Sequence, residues 1–260
     1  MTQAKRFNLV LQSATFYTRL QMPGFPFTKW LLKGVDAAAS VLQPFVNRIQ
    51  LRQAANIPLE RQRRALSSTV DYVQRHMRRV NSSTNKFSIL SEAFRRADIS
   101  GDRLICEFGV FSGTTINFLA KLTTRTVFGF DSFEGLPEAW PPDLPKGYFA
   151  LKRLPHVRRN VTLVKGWFHE TLPGFVEQNP GMVAFVHMDC DLYSSTKIVF
   201  DLLEPRLAAG AVIVFDEYFN YPNWEEGEYK AFNELLTRTG LSFDFICYHR
   251  KGHQVAVVLK

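Results

Sequence analysis

The chain is poor in cysteine, in long apolar runs and, over its first third, in acidic residues. Only Cys106, Cys190 and Cys247 occur in 260 residues, an odd and scattered set with no C-x-x-C spacing. That excludes a disulfide framework and a cysteine metal site, and leaves small buried thiols kept reduced, as expected of a cytoplasmic protein. No stretch of 18 apolar residues is present, so no membrane-spanning helix is expected. Apolar residues make up 46% and charged ones 22%, which excludes a largely disordered chain. No acid precedes Asp36, and residues 1–80 hold 13 Lys and Arg against Asp36, Glu60 and Asp71, a balance of +10. The net charge of +8 therefore leaves −2 for residues 81–260. A nucleic-acid substrate needs basic surface around the site that handles it. Here the basic character lies elsewhere, and no nucleic-acid partner is expected.

Residues 1–57 are aromatic-rich and interrupted by Pro23, Pro26 and Pro44, and they read as irregular. Lys5 and Arg6 stand near the start, but neither an apolar h-region nor a small-residue cleavage site follows, so a secretory signal is not expected. Packing on the protein itself or on a partner subunit of a homo-oligomer, and weak contact with a membrane surface, are the roles such a basic segment suits. From Leu59 to Val80 the spacing of Leu66, Val70, Val73, Met77 and Val80 predicts a helix, with Arg61, Arg63, Arg64, Arg75, Arg78 and Arg79 on its solvated side. Residues 1–80 thus read as a basic, partly helical extension, and 81–260 as the main domain. A second helix is expected over Ser88–Ala97, ending at Ser100-Gly101.

Beyond Gly101, apolar runs and amphipathic stretches alternate. Leu104–Phe108, Thr126–Phe130, Val161–Lys165, Met182–Met188 and Ala211–Phe215 are continuous rather than alternating, as in parallel strands buried on both faces. Helices are expected over Thr114–Leu122, Leu172–Gln178, Ser194–Leu203 and Gly227–Arg238. Phe243–His249 and His253–Leu259, separated only by Arg250-Lys251-Gly252, form an antiparallel hairpin. The class is α/β: a Rossmann-like doubly wound sheet of about seven strands with a C-terminal antiparallel hairpin, plus the N-terminal helical extension. A dinucleotide dehydrogenase would continue with parallel units instead.

The first of these strands runs from Cys106 into Glu107-Phe108-Gly109-Val110-Phe111-Ser112-Gly113 and then a helix. Gly109 and Gly113 leave room for a ligand to approach the backbone. The pattern is sparser than the G-x-G-x-x-G that seats a pyrophosphate, which suits a cofactor without phosphates. Asp131 ends the second strand 22 residues after Gly109, where an acid commonly accepts ribose hydroxyls. Lys165-Gly166-Trp167 ends the third, and Trp167 could wall the cofactor's base or belong to the core. Asp189 and Asp191 end the fourth strand, Asp216 and Glu217 the fifth. Four converging acids repel one another unless a cation or hydrogen bonds compensate. Oxygen-only ligands point to Mg²⁺, which can lower the pKa of a substrate hydroxyl while a nearby carboxylate takes the proton. Asp191 could alternatively cap the helix over Ser194–Leu203.

Five of these segments, in order, resemble the macrocin/mycinamicin/novobiocin sugar O-methyltransferase family: E-F-G-V-F-S-G-T-T (107–115), G-F-D-S-F-E-G-L-P (129–137), V-K-G-W-F-H-E-T-L-P (164–173), H-M-D-C-D-L-Y-S-S-T (187–196) and L-A-A-G-A-V-I-V-F-D-E-Y (207–218). The resemblance covers residues 85–260. It implies a class I methyltransferase fold, S-adenosylmethionine as cofactor, and Mg²⁺-assisted transfer of a methyl group to a sugar hydroxyl of a natural product. The cofactor contacts expected are Glu107, Gly109, Phe111, Ser112, Gly113, Asp131, Ser132, Gly166, Trp167 and Asp189. Metal ligands would be Asp189, Asp216 and Glu217, with Asp191 as general base or further ligand; the catalytic roles fall to Asp189 and Asp191. The chain departs from the family where a pair of aspartates is usual, having Asp216-Glu217, and residues 219–229 are more acidic and aromatic. Both departures lie on the substrate side. A metal-independent methyltransferase with Asp191, His187 or Tyr218 as base remains a second reading. A nucleotide-cofactor oxidoreductase is a third, opposed by the missing third glycine and the terminal hairpin.

Overall fold

The computed structural model describes residues 26–140 and 144–260. Lys5, Arg6 and Pro23 lie outside the described residues. Contacts divide the chain between Ile57 and Pro58. On the N-terminal side, Pro26–Ala54 is one long helix (α1) that contains Pro44, not the irregular segment expected from its prolines. Pro26 opens the helix where its missing N–H is not needed, and Pro44 removes one hydrogen bond from a helix of 29 residues. The C-terminal half of α1 leaves Val41, Leu42, Phe45 and Ile49 exposed. No described helix is long and apolar enough to cross a membrane.

Helix α2 (Ile57–His76) belongs from Pro58 onward to the same unit as the sheet. Its inward face differs from the apolar stripe. Val73 and Met77 do pack on the core, but Leu66 and Val70 are 50% and 44% exposed. Ala65, Ser68 and Thr69 turn inward instead, and the two hydroxyls make hydrogen bonds: the Trp224 Nε1–H donates to Ser68 Oγ at 2.9 Å, and the Asn220 N–H to Thr69 Oγ1 at 2.9 Å. Tyr72 and Tyr218 share a hydroxyl–hydroxyl bond of 2.9 Å. The arginine side of the helix is largely solvated, as expected.

Among the described residues the sheet has eight strands, the seven expected and one more. They are β1 (Asn81–Ser83), β2 (Leu104–Phe108), β3 (Val127–Asp131), β4 (Val161–Lys165), β5 (Val183–Met188), β6 (Val212–Phe215), β7 (Phe243–His249) and β8 (Val255–Leu259), in the order β1-β7-β8-β6-β5-β2-β3-β4. The unexpected member is β1, three polar residues paired in parallel with β7. Strand β8 runs antiparallel to both its neighbours, β6 and β7, and the other pairs are parallel. The intervening helices are α3 (Lys86–Arg96), α4 (Thr114–Leu119), α5 (Phe168–Gln178), α6 (Tyr193–Leu203) and α7 (Glu228–Thr239).

Both faces of the sheet are covered. Ile105, Phe185, Val212 and Val214 pack with Ile89, Leu90, Ile116 and Leu119 of α3 and α4. Cys106, Phe108, Ile213 and Phe215 pack with Met77, which follows α2, and with Phe175, Phe200 and Phe232 of α5, α6 and α7. Alternation along each strand feeds two apolar layers, which explains the continuous runs in the sequence. The chain leaves β2 outward to β3 and β4, then returns to β5 on the other side of β2. Between the carboxyl ends of β2 and β5 this reversal opens the crevice where doubly wound sheets bind ligands.

Candidate active site

A cavity of about 430 Å³ occupies that crevice, a size that suits a cofactor or small ligand. Gly109 makes it possible. Its φ is +88°, and a Cβ there would lie 1.7 Å from the carbonyl oxygen of Asp189. Strands β2 and β5 can therefore approach closely only without a side chain at 109. Phe111 (φ +43°) and Asp191 (φ +62°) sit in the left-handed region at the two strand ends, where side chains rarely rest unless the surrounding structure holds them.

Asp131 ties the turn to the sheet. Its Oδ2 accepts the N–H groups of Val110 and Phe111 at 2.9 and 2.8 Å, and its Oδ1 accepts the N–H of Phe133 at 2.6 Å. The carboxylate still borders the cavity, together with Gly109, Phe111, Ser112, Ser132, Gly166 and Trp167. Two residues assigned with them stand elsewhere. Gly113 caps α4 at φ +79° and faces Pro155, Asn117 and Val157. Glu107 is fully buried in the face covered by α3 and α4, where Thr115 Oγ1 donates to its Oε1 at 3.0 Å and His187 Nδ1 lies 2.9 Å from its Oε2. The alternation that sends Phe108 to one side of β2 sends Glu107 to the other, away from the crevice.

All four strand-end acids, Asp189, Asp191, Asp216 and Glu217, line the cavity. Asp191 does not cap α6, which begins without a side-chain cap bond. Donor atoms of Asp189, Asp191 and Glu217 lie within 4.8 Å of one another, as do those of His187, Asp189 and Asp216. Asp189 is common to both groups, while Asp216 stands in one and Glu217 in the other.

Burial, reinforced by the charge of Asp216, pushes the Asp189 and Glu217 carboxyls well above the usual range. The same causes raise Asp191 to about 7. Asp216 is opposite: burial alone would raise it, but the His187 ring holds it below the ordinary value. Glu217 Oε2 is buried with no hydrogen-bond partner among the described residues. A carboxylate oxygen so placed is costly unless a proton or a cation meets it, and a hard divalent cation fits a donor set made of oxygens.

Several site residues gave no usable signal in the sequence. Lys86, Trp140, Phe149 and Ser195 line the cavity. Trp140 reaches it from the β3–β4 connection and packs edge-on to Tyr221 at 6.2 Å. Glu228 lies in the acidic run 225–228, which resembles solvated surface. It is nevertheless fully buried, and its Oε2 accepts the Glu217 N–H at 3.1 Å.

A doubly wound sheet with β8 reversed, a glycine turn over the crevice and an acid at the end of the neighbouring strand together define a class I, Rossmann-like methyltransferase fold. Residues 37–237 match the macrocin O-methyltransferase (TylF) family, and the chain belongs to it. Among curated proteins it is 28% identical to the mycinamicin III 3''-O-methyltransferase of Micromonospora griseorubida, over 71% of this chain and 78% of that one. It is 32% identical to the 8-demethyl-8-(2,3-dimethoxy-alpha-L-rhamnosyl)-tetracenomycin-C 4'-O-methyltransferase of Streptomyces olivaceus, over 46% of this chain. That match spans 54%, about half, of the tetracenomycin protein's length. Among solved structures, a calicheamicin methyltransferase superposes with a TM-score of 0.54 and 25% identity, covering 82% of this chain and 90% of that one.

Proposed function

We propose that the protein transfers the methyl group of S-adenosylmethionine to a hydroxyl of a sugar, free or attached to a small natural product, with assistance from Mg²⁺. The observation that carries this reading is the meeting of four carboxylates with the glycine turn and Asp131 in one cavity. The relatives' names include a 4'-O-methyltransferase of a rhamnosyl-tetracenomycin and a 3''-O-methyltransferase of mycinamicin III, which supports a sugar acceptor. In this reading Gly109, Phe111, Ser112, Asp131, Ser132, Gly166 and Trp167 hold the cofactor. Asp189, Asp216 and Glu217 would hold the cation, which supplies charge stabilisation to an acceptor oxygen as it loses its proton. Asp191 takes that proton. His187 and Tyr218, the other candidate bases, are 0% and 1% exposed and do not line the cavity.

The direct test is incubation with S-adenosylmethionine, Mg²⁺ and a panel of rhamnosylated and other deoxyglycosylated acceptors, with the product read by mass spectrometry. A gain of one methyl on the sugar ring is expected. Methylation confined to the aglycone or to nitrogen would overturn the sugar assignment. The cofactor contacts are tested separately: Asp131→Ala is expected to weaken S-adenosylmethionine by about 1–3 kcal/mol through lost hydrogen bonds. Calorimetry showing unchanged affinity in a folded variant would remove Asp131 from the site.

For the N-terminal region, the reading is contact with a partner subunit or a membrane surface, in a cytoplasmic protein. It is supported by the +10 balance of residues 1–80 and the exposed Val41, Leu42, Phe45 and Ile49 of α1. Deleting residues 1–57 is expected to leave the remainder folded while changing assembly or attachment. Light scattering and liposome sedimentation of both forms check this; a deletion that melts the remainder would show that the segment is part of the fold.

A further inference from the structure

We propose that His187 is a positioning residue that holds the carboxylate of Asp216, working from an anchor on Glu107 in the next strand. The proposal rests on the reading that Asp216 serves the reaction. Glu107 and His187 are register partners across β2 and β5, and His187 is the partner of Val214 in β6. They form a polar line across an otherwise apolar face, between Ile105, Phe185 and Val212. One end of the line is fixed: Glu107 is held by Thr115 at 3.0 Å and by His187 Nδ1 at 2.9 Å. The ring is thereby oriented, and its Nε2 points to Asp216 Oδ1 at 3.6 Å. Nε2 is buried and has no hydrogen-bond partner among the described residues, so Asp216 is the one described ion-pair partner within its reach.

Structural histidine alone does not account for this arrangement. A bond from Nδ1 to Glu107 would satisfy a core histidine, yet it explains neither the buried acid beneath it nor the second nitrogen aimed at the cavity wall. Apolar residues of similar size commonly fill such a position at less cost than a buried ionic line. What the line adds is geometry: Asp216 follows β6 directly, and the ring fixes it to the strand that carries the Gly109 turn. Residues that orient a ligating carboxylate in this way typically matter about 10- to 100-fold for metal affinity or rate.

Two substitutions separate the ring's two ends, because an asparagine amide falls near Nδ1 and a glutamine amide near Nε2. His187→Asn keeps the Glu107 contact and loses Asp216; His187→Gln keeps a donor facing Asp216. The expected result is a loss of Mn²⁺ affinity and of kcat in His187→Asn, each about tenfold or more, with substantial recovery in His187→Gln. S-adenosylmethionine affinity, measured by calorimetry, should stay within about twofold of wild type in both. Equal losses in the two variants, wild-type behaviour in both, or a parallel fall in cofactor affinity would overturn the proposal. If the wild-type protein binds no Mn²⁺, the metal reading falls, and kcat alone then decides: a persisting Asn–Gln difference supports the role and its absence refutes it. Should either variant fail to fold, ¹⁵N-histidine spectra replace them. The His187 Nε2 signal must then respond to Asp216→Asn and not to Asp191→Asn, and a silent Nε2 refutes the contact.

Discussion

Stripping divalent cations with a strong chelator is expected to abolish methyl transfer while S-adenosylmethionine binding survives. The loss should be about 10³-fold in kcat, roughly 4 kcal/mol of charge stabilisation at the acceptor oxygen. In the proposed reading cofactor affinity persists, because the Gly109 turn and Asp131 would meet the ligand at the ends of β2 and β3 rather than at Asp216 and Glu217. Asp216→Asn should act like the chelator and respond partly to excess Mg²⁺. The effect carries a pH signature. Burial and the neighbouring Asp216 charge make Asp189 and Glu217 retain protons well above the ordinary carboxyl range. A cation must displace those protons, so its affinity rises with pH until the two groups are ionised, and binding releases protons to the buffer. Calorimetry in buffers of different ionisation enthalpy measures that release directly. Full turnover in chelator, on an acceptor shown to be methylated, would sink the metal reading and leave a metal-independent transfer.

Asp191→Asn is the second change with a large expected effect. If Asp191 accepts the hydroxyl proton, kcat should fall about 10²- to 10⁴-fold, with Mn²⁺ and cofactor affinities close to wild type. Only the ionised carboxylate can act as base, so the wild-type rate rises with pH through the titration of Asp191. That titration lies at about 7 in the cation-free protein, raised by burial and then by Asp216 and Asp131. A bound cation lowers it, by about one to three pH units for a charge within contact range. The acid limb of the wild-type profile should accordingly lie well below pH 7 in saturating Mg²⁺ and vanish in Asp191→Asn. An unaltered profile in that variant would move the base role elsewhere. If Asp191 is a ligand instead, Mn²⁺ affinity falls together with kcat.

Much of this protein was legible as sequence. Strands β2 and β4 and the strand Phe243–His249 appear at their expected bounds, and the other expected strands and most helices shift by only a few residues at their ends. Buried parallel strands need uninterrupted apolar runs, and the glycine turn and the acids sit directly at the ends of those runs. The chain itself therefore states which residues stand at the strand ends that border the crevice. The same logic places Gly109, Asp131, Asp189, Asp191, Asp216 and Glu217 together at one end of one sheet.

Tertiary structure decided what periodicity cannot count. The inward face of α2 is built partly from Ala65, Ser68 and Thr69, because the loop after β6 needs hydroxyl partners for Asn220 and Trp224; a search for apolar spacing selects Leu66 and Val70, which face solvent. Strand β1 has no strand-forming composition and exists because β7 offers it an unpaired edge. Glu107 and Glu228 look like surface or ligand-facing acids in one dimension, yet both are fully buried. Their partners, His187 and the Glu217 backbone, lie 80 and 11 residues away along the chain. Local sequence determines where each strand ends and which side chains stand there. Which of two neighbouring acids turns into the cavity and which turns into the core is set by strand alternation and register, and those exist only once the sheet has formed.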